Sequence, residues 1–215
     1  MTNANIDYWN KILKNPIPTY KQLLIKEDEY LKKHIAKNSS VLDIGCSNGR
    51  NIETMLSVTK NITGIDIEES AVLKTQDKFK TIPTVKILKG SVFNLPFPDK
   101  SFDIAVLMCT LVNFENKKTE ALKEMKRVIK DSGKLIISVY AKDALKNRLE
   151  QYKKINLPIK EISDKKVIFE NILEAGTSEQ FSISDIKELG KDIDIKVENL
   201  EKVPEIAYIF EFIKS

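Results

Sequence analysis

The sequence predicts a doubly wound α/β fold with a mostly parallel, seven-stranded sheet and an antiparallel hairpin at its C-terminal end. From residue 41 onwards, short apolar runs alternate with helical segments, which is typical of a parallel sheet covered by helices on both faces. The first run leads into a glycine turn at residues 45–49, and the second ends at Asp66. Two strand patterns, at 193–200 and 207–213, are close enough in sequence to form the hairpin.

The individual elements follow from hydrophobic spacing. Residues 6–37 have apolar residues at helical intervals, but Pro16 and Pro18 interrupt them and therefore predict two helices. The turn at 131–133 is expected to end a helix, with Gly133 in a left-handed conformation. The other predicted strands cover residues 41–45, 61–66, 84–88, 102–108 and 135–140, and the other helices cover 51–60, 68–79, 117–129 and 182–189.

We expect a single domain over residues 1–215 with two additions. The first is an N-terminal helical cap formed by residues 1–38. The second is a lid-like insertion at about 141–180, where the alternation of strands and helices stops and lysines are frequent. Within it, the sequence predicts a helix at 142–153 and a short strand around 167–169.

Charge and cysteine content narrow the function classes. The net charge is +4, and lysines alternate with acids, as in residues 26–33, which favours a solvated helix face over a nucleic-acid-binding stripe. Two cysteines and one histidine do not supply a structural zinc site or a disulfide framework. The first ten residues lack an apolar signal core, and no stretch approaches the ~20 apolar residues of a membrane span. We therefore expect a soluble, cytoplasmic protein.

The strongest motif is the stretch from Asp43 through Gly45 to Gly49. Its Asp-x-Gly-x-x-x-Gly spacing joins a buried strand to a helix, and ligands bind at the carboxyl ends of such strands. It differs from the dinucleotide fingerprint Gly-x-Gly-x-x-Gly, which places a helix N-terminus on a pyrophosphate. A carboxylate at Asp43 would repel a diphosphate and attract the ammonium group of an amino-acid-like ligand.

A second motif supplies an acid for a ribose. Asp66 ends the second predicted strand, about 20 residues beyond the glycine turn, where an acid can accept hydrogen bonds from the two ribose hydroxyls of a nucleoside. S-adenosylmethionine combines a nucleoside with an ammonium and a sulfonium group and has no phosphate. The two motifs together therefore favour this ligand.

Residues 90–103 and 124–135 supply two further motifs. Together, the four motifs resemble those of the class I S-adenosylmethionine-dependent methyltransferases, which have a Rossmann-like fold. The similarity is greatest to the branch of ubiquinone/menaquinone-biosynthesis-type and small-molecule enzymes, and it covers residues 38–140. The chain departs from the family at Ser47, where the family usually has glycine, and at Ser91, where it often has aspartate.

The resemblance implies a cofactor site for S-adenosyl-L-methionine that is distributed along the ligand. Four residues of the first motif would surround the methionine part, one acid would hold the ribose, three residues would lie at the adenine, and a cysteine would face the methyl group through its backbone. In chain order, these residues are Asp43, Gly45, Ser47, Gly49, Asp66, Ile67, Ser91, Val92 and Cys109.

Catalytic residues are less well defined. Tyr140, at the carboxyl end of the fifth strand, and Tyr20 are the weak candidates for a catalytic role. The reversed order of Met108-Cys109-Thr110 relative to pyrimidine-methylating enzymes favours a packed, inert thiol at Cys109. Tyr8 and Trp9 form either part of an aromatic lid or a core anchor.

No metal is expected. Asn113 and Glu115 follow the fourth strand without a convincing second acid, which argues against a metal-dependent enzyme. His34, the only histidine, is interpreted as a surface or capping residue rather than a catalytic base.

The predicted function is methyl transfer to a small-molecule acceptor by direct displacement. Placement of the reacting groups and exclusion of water supply most of the rate enhancement, so a general base is optional. The alternatives are methylation of a macromolecule, either tRNA or a protein side chain, and a non-catalytic S-adenosylmethionine-binding scaffold. The oligomeric state and the methylated atom are not predicted.

Overall fold

The computed structural model describes residues 4–170 and 176–214, and it omits the side chains of residues 4–8. Its strands form one large and one small sheet. In chain order, they are β1 (Val41–Ile44), β2 (Ile62–Asp66), β3 (Val85–Lys89), β4 (Phe102–Met108), β5 (Ile129–Tyr140), β6 (Ile159–Ile162), β7 (Lys166–Phe169), β8 (Thr177–Glu179), β9 (Lys196–Val203) and β10 (Ala207–Ile213). The large sheet has the order β3-β2-β1-β4-β5-β10-β9.

The predicted fold class is confirmed. Strands β1 to β5 pair in parallel, whereas β10 pairs antiparallel with both β5 and β9. Strand β1 lies between β2 and β4, and all four of its residues are buried. This central position explains its continuous apolar sequence, since a strand covered on both faces does not alternate.

Seven α-helices are present in the described part of the chain. They are α1 (Ala4–Lys14), α2 (Pro18–His34), α3 (Arg50–Met55), α4 (Glu69–Phe79), α5 (Lys118–Val128), α6 (Leu145–Lys154) and α7 (Ile183–Asp192). The break between α1 and α2 lies at the two prolines, and Pro18 occupies the first turn of α2, where its missing N–H costs nothing. None of these helices is both long and apolar enough to cross a membrane.

Gly133 corrects one detail of the prediction. The chain passes from α5 directly into β5 at Ile129, and Gly133 is absent from the positive-φ glycines of the described residues. A Cβ at Gly133 would lie 2.9 Å from the carbonyl oxygens of Asp103 and Lys130. Glycine is therefore required for space beside a register shift in the β4–β5 pairing, and not for a left-handed turn.

The segment at 141–180 is more ordered than its composition indicates. After α6, strands β6, β7 and β8 form an antiparallel three-stranded sheet, and β7 covers the predicted strand at 167–169. β6 is mostly exposed, so it lacks the hydrophobic alternation that would have predicted it. The segment returns to the main sheet through a hydrogen bond from the Phe181 amide to the Tyr140 carbonyl, of 2.8 Å.

Candidate functional site

A cavity of about 500 Å³ opens at the carboxyl ends of β1, β2 and β4. This is the edge of a doubly wound sheet at which ligands bind. Gly45, Asp66 and Cys109, which follow or end these three strands, all line the cavity. Tyr140 at the end of β5 lines it as well, and Ser178 of β8 contributes from the small sheet. The topology therefore gathers residues that are far apart in sequence.

The glycine turn brings the backbone to the cavity wall. Gly45 has φ +71°, and its amide donates to the Ile65 carbonyl at 2.8 Å. A Cβ there would lie 3.0 Å from Oγ1 of Thr110. Gly49 has φ +77° and precedes α3, and a Cβ there would lie 2.5 Å from the Phe79 ring. Gly45 therefore allows the turn to approach Thr110 closely at the cavity wall, whereas Gly49 does not line the cavity and allows α4 to pack closely.

Asp66 is held in position by two backbone amides. The Ser47 amide donates to Oδ2 at 2.8 Å, and the Glu68 amide donates to Oδ1 at 2.9 Å. Ser47 also lines the cavity and has φ +45°, a conformation that glycine, the usual family residue, adopts more easily. Each carboxylate oxygen can accept more than one hydrogen bond, so the side chain retains acceptor capacity toward the cavity.

Asp43 lies beneath the cavity and not at its surface. Its side chain is fully buried, Oδ1 accepts from Nδ2 of Asn51 at 3.2 Å, and Oδ2 has no hydrogen-bond partner among the described residues. Burial raises the pKa of Asp43 to about 7, although the Asn51 hydrogen bond and Arg50 oppose the shift. The structure thus does not support the direct contact with a ligand amine that the sequence predicts.

The expected adenine end is lined by Ile67, Ser91 and Val92. Ile67 follows β2 and is half exposed, and Ser91 and Val92 follow β3. The Ser91 hydroxyl accepts from the Phe93 amide at 3.3 Å. Phe93 also lines the cavity, with its ring centroid 5.2 Å from that of Phe114, and sequence reasoning had not selected it. These apolar surfaces suit a planar base.

Cys109 borders the cavity with a buried thiol. Its amide donates to Oγ of Ser138 at 2.9 Å, and φ is +48°. Burial raises the pKa of the Cys109 thiol well above its usual value, and the neighbouring carboxylate of Glu27 adds to this shift. Because thiolates are the nucleophilic form, this environment agrees with an inert cysteine.

A buried ionic cluster lies below the glycine turn. Arg50 contacts the carboxylates of Glu27 and Asp28, and the Ser138 hydroxyl donates to Glu27 at 2.6 Å. Glu27 is buried, so the interpretation of residues 26–33 as a solvated face is wrong at this position. Glu27 follows Tyr20 and Leu23 at helical spacing on the buried face of α2, a signal that could have identified it.

The two candidate tyrosines are adjacent, but only one reaches the cavity. Tyr140 lines it, whereas Tyr20 is fully buried behind Tyr140 and does not. Their hydroxyl oxygens are 3.3 Å apart. The position of Tyr20 therefore excludes direct contact with a molecule bound in this cavity.

The remaining aromatic and basic candidates are also placed. Trp9 lines the cavity and packs against the core, so it fits both interpretations, whereas the Tyr8 side chain is outside the described residues. His34 lies away from the cavity, where Nδ1 is 2.9 Å from Oε1 of Glu211. Asn113 and Glu115 line the cavity.

The architecture of the chain is that of a known fold. Its strand order, its glycine turn after β1 and its acid at the end of β2 are those of a class I methyltransferase fold. A family model described as "Methyltransferase domain" matches residues 42–137. The match covers less than half of the 215 residues, so this part of the chain is similar to methyltransferase domains.

Two curated relatives are similar to part of the chain. "Uncharacterized protein MJ1252" of Methanocaldococcus jannaschii is 36% identical over 135 residues, which are 62% of this chain and 50% of that protein. Demethylmenaquinone methyltransferase of Staphylococcus aureus (strain JH9) is 31% identical over 105 residues, which are 47% and 43% of the two chains. The chain thus spans about half the length of these relatives or less.

A solved structure extends the similarity of fold over most of the chain. It is Burkholderia thailandensis 1,6-didemethyltoxoflavin-N1-methyltransferase with bound 1,6-didemethyltoxoflavin and S-adenosylhomocysteine. The TM-score is 0.69 at 17% identity, and the match covers 89% of this chain and 78% of that one.

Proposed function

We propose that this protein transfers a methyl group from S-adenosylmethionine to a small-molecule acceptor by direct displacement. The observation that carries the proposal is a continuous cavity that extends from the glycine turn past Asp66 to Tyr140. Its volume of about 500 Å³ lies in the range of small-molecule sites. The S. aureus and B. thailandensis proteins carry the names of small-molecule methyltransferases, which agrees with the proposal.

The residues present fit the cofactor. Gly45 packs closely against Thr110 at the cavity wall, and Oδ2 of Asp43, which has no partner among the described residues, provides negative charge below the turn when the group is ionised. In this proposal, Gly45 and Ser47 bind the methionine part, and Asp66 accepts the ribose hydroxyls. Asp43 and Gly49 support the site from outside the cavity.

The same proposal places the adenine between Ile67, Ser91 and Val92. The backbone of Cys109 lies at the methyl donor, and Tyr140 lies on the acceptor side. When bound, the cofactor supplies an activated methyl group on a sulfonium. The protein orients the acceptor and excludes water.

The acceptor end is covered by the two additions to the fold. Trp9 of α1 and Ser178 of β8 both line the cavity. We therefore assign a lid role to the N-terminal segment and to residues 141–180, which together would select the acceptor. A cytoplasmic location remains a prediction from the sequence.

Calorimetric titration with S-adenosylhomocysteine tests the cofactor site. We expect wild-type protein to bind it and Asp66→Ala to bind at least about 100-fold more weakly, because two charge-assisted hydrogen bonds to the ribose are lost. Asp77→Ala removes an exposed acid from α4 and should leave the affinity unchanged. Asp66→Asn keeps the shape of the side chain and reports the effect of charge alone.

Two results would contradict the proposal. If wild-type protein did not bind S-adenosylhomocysteine, the methyltransferase reaction would be excluded. If methyl label from the donor entered the RNA or protein fraction of a cell extract, and none entered the low-molecular-mass fraction, the small-molecule acceptor would be wrong.

A further inference from the structure

A buried arginine without an acidic partner lies behind the acceptor end of the cavity. Arg148 of α6 is fully buried. Its Nε donates to the Tyr152 hydroxyl at 3.1 Å, one terminal nitrogen donates to the Ser178 carbonyl at 2.9 Å, and the other donates to the Gln180 side chain. All three acceptors are neutral, and no carboxylate in the described part of the chain forms an ion pair with Arg148.

The Arg148 guanidinium lies close to two residues that line the cavity. The guanidinium carbon of Arg148 lies 4.3 Å from the centroid of the Tyr140 ring, and Tyr140 and Ser178 both line the cavity. The positive charge therefore lies against a residue of the cavity wall. An uncompensated cation is costly to bury, because its interactions with water are lost without a counter-charge. A negatively charged ligand that contacts Tyr140 from the cavity would compensate it.

The neighbouring groups do not cancel this charge. The titratable groups against Arg148 are the phenols Tyr20, Tyr140 and Tyr152, and no carboxylate is among them.

Four charged residues line the cavity itself. Asp66 and Glu68 lie at the nucleoside end, and Glu115 and Lys117 follow β4 and have opposite signs. Beyond the cavity, Lys118 and Glu179 pair with each other. Arg148 therefore adds a positive charge at the acceptor end that no carboxylate of the described residues pairs with.

The walls of the cavity favour a planar occupant. Trp9, Phe93, Phe114 and Tyr140 all line it, and the Phe93 and Phe114 rings pack against each other. Aromatic walls with few polar groups bind flat rings through apolar contact. Together with the charge of Arg148, they select for a planar molecule that carries an anionic group.

We propose that the acceptor is a planar molecule with an acidic hydroxyl, a phenol or an enol, which binds as its oxyanion beside Tyr140, within the field of Arg148. This inference rests on the proposed methyltransferase function. The hydroxyl proton leaves to solvent before transfer, and the field of Arg148 favours this ionisation. An oxyanion lone pair then forms the new oxygen–carbon bond while the carbon–sulfur bond breaks and leaves its electron pair on sulfur. Arg148 is thus a positioning residue that acts through Tyr140.

The test uses para-nitrophenol, which is strongly coloured only as the phenolate, and protein saturated with S-adenosylhomocysteine. The pH at which the bound probe ionises is measured by absorbance for wild type, Arg148→Met and Arg148→Lys. We expect wild-type protein to prefer the phenolate about tenfold, so that the bound probe ionises about one pH unit below the free probe. Arg148→Met should lose this shift, and Arg148→Lys should retain it because the charge remains.

The controls separate this inference from the cofactor assignment and from misfolding. Lys153→Met removes an exposed charge from the same helix and should leave the shift unchanged. Loss of the shift in Arg148→Lys would indicate a structural role only and would overturn the proposal. An equal shift in wild type and Arg148→Met, or no probe binding while S-adenosylhomocysteine binds, would also overturn it. If S-adenosylhomocysteine itself did not bind, the proposed function would fail instead.

Discussion

Replacement of Asp43 by asparagine should change the stability of this fold, relative to wild type, in favour of the variant as the pH rises. Asp43 is fully buried, and burial raises its pKa to about 7. Ionised Asp43 therefore opposes folding, whereas an asparagine is neutral at every pH and keeps an oxygen to accept the hydrogen bond from Asn51. The carboxylate is tolerated, on our proposal, because its charge favours the ammonium group of the cofactor.

The size of the effect follows from proton linkage. The unfolded chain loses the Asp43 proton near a pKa of about 3.9, and the folded protein loses it near about 7. Between these values the folded state holds more protons, so stability falls as the pH rises, and the effect levels off above about 7. From about pH 5 to about pH 8, wild type should lose about 2.5 kcal/mol of unfolding free energy relative to Asp43→Asn.

Urea unfolding of both proteins at these two pH values measures the change. The new amide N–H group replaces Oδ2, which has no partner in the described structure, and this costs about 1–3 kcal/mol at either pH. The change in the stability difference is therefore the informative quantity, and not its absolute value. Asp77→Asn, at an exposed position, should show no such change. A pH-independent difference for Asp43→Asn would refute the reasoning.

Two further predictions concern the turn and the cysteine. Gly49→Ala should cost about 2–4 kcal/mol in urea unfolding, because φ is +77° and the added Cβ meets the Phe79 ring. Gly176→Ala, with φ +63° and open space, isolates the backbone contribution, and equal costs would refute the packing argument. Cys109→Ser should change S-adenosylhomocysteine affinity by less than about threefold, since the backbone of this residue makes the proposed contact. A loss above tenfold in calorimetry would show that the thiol itself matters.

The sequence predicts the main sheet well because its strands are buried on both faces. Continuous apolar runs separated by amphipathic helices identify β1, β2, β4 and β5 without tertiary information. The small sheet was largely missed because β6 is mostly exposed, so its pairing with β7 depends on contacts that hydrophobic spacing does not report. The sequence predicts the start of β5 too late, at residue 135. A glycine serves either in a left-handed turn or where space is short, and only the carbonyls near Gly133 distinguish the two roles.

The sequence also predicts some features of the candidate site and not others. Strand ends converge by topology, so residues after β1, β2 and β3 could be assigned to one cavity from order and spacing alone. Order and spacing do not predict how deeply a side chain is buried. Asp43 and Tyr20 were expected to line the cavity, but both lie behind its wall. Glu27 and Arg148 were missed for the converse reason, since each is a charged residue in a segment that reads as solvated.

The charged residues near the cavity differ in sign between its two ends. At the cofactor end, Asp66 lines the wall and Asp43 lies beneath it, so negative charge faces the region assigned to a cationic ligand. At the other end, Arg148 places positive charge behind Tyr140. Methyl transfer from a sulfonium to an oxyanion neutralises both reactants, and a cavity polarised in this direction holds the two before reaction.

The polarity also predicts an order of sensitivity to salt. Asp43 and Arg148 are both fully buried, so added salt should weaken their effects less than those of the exposed ion pairs on the surface.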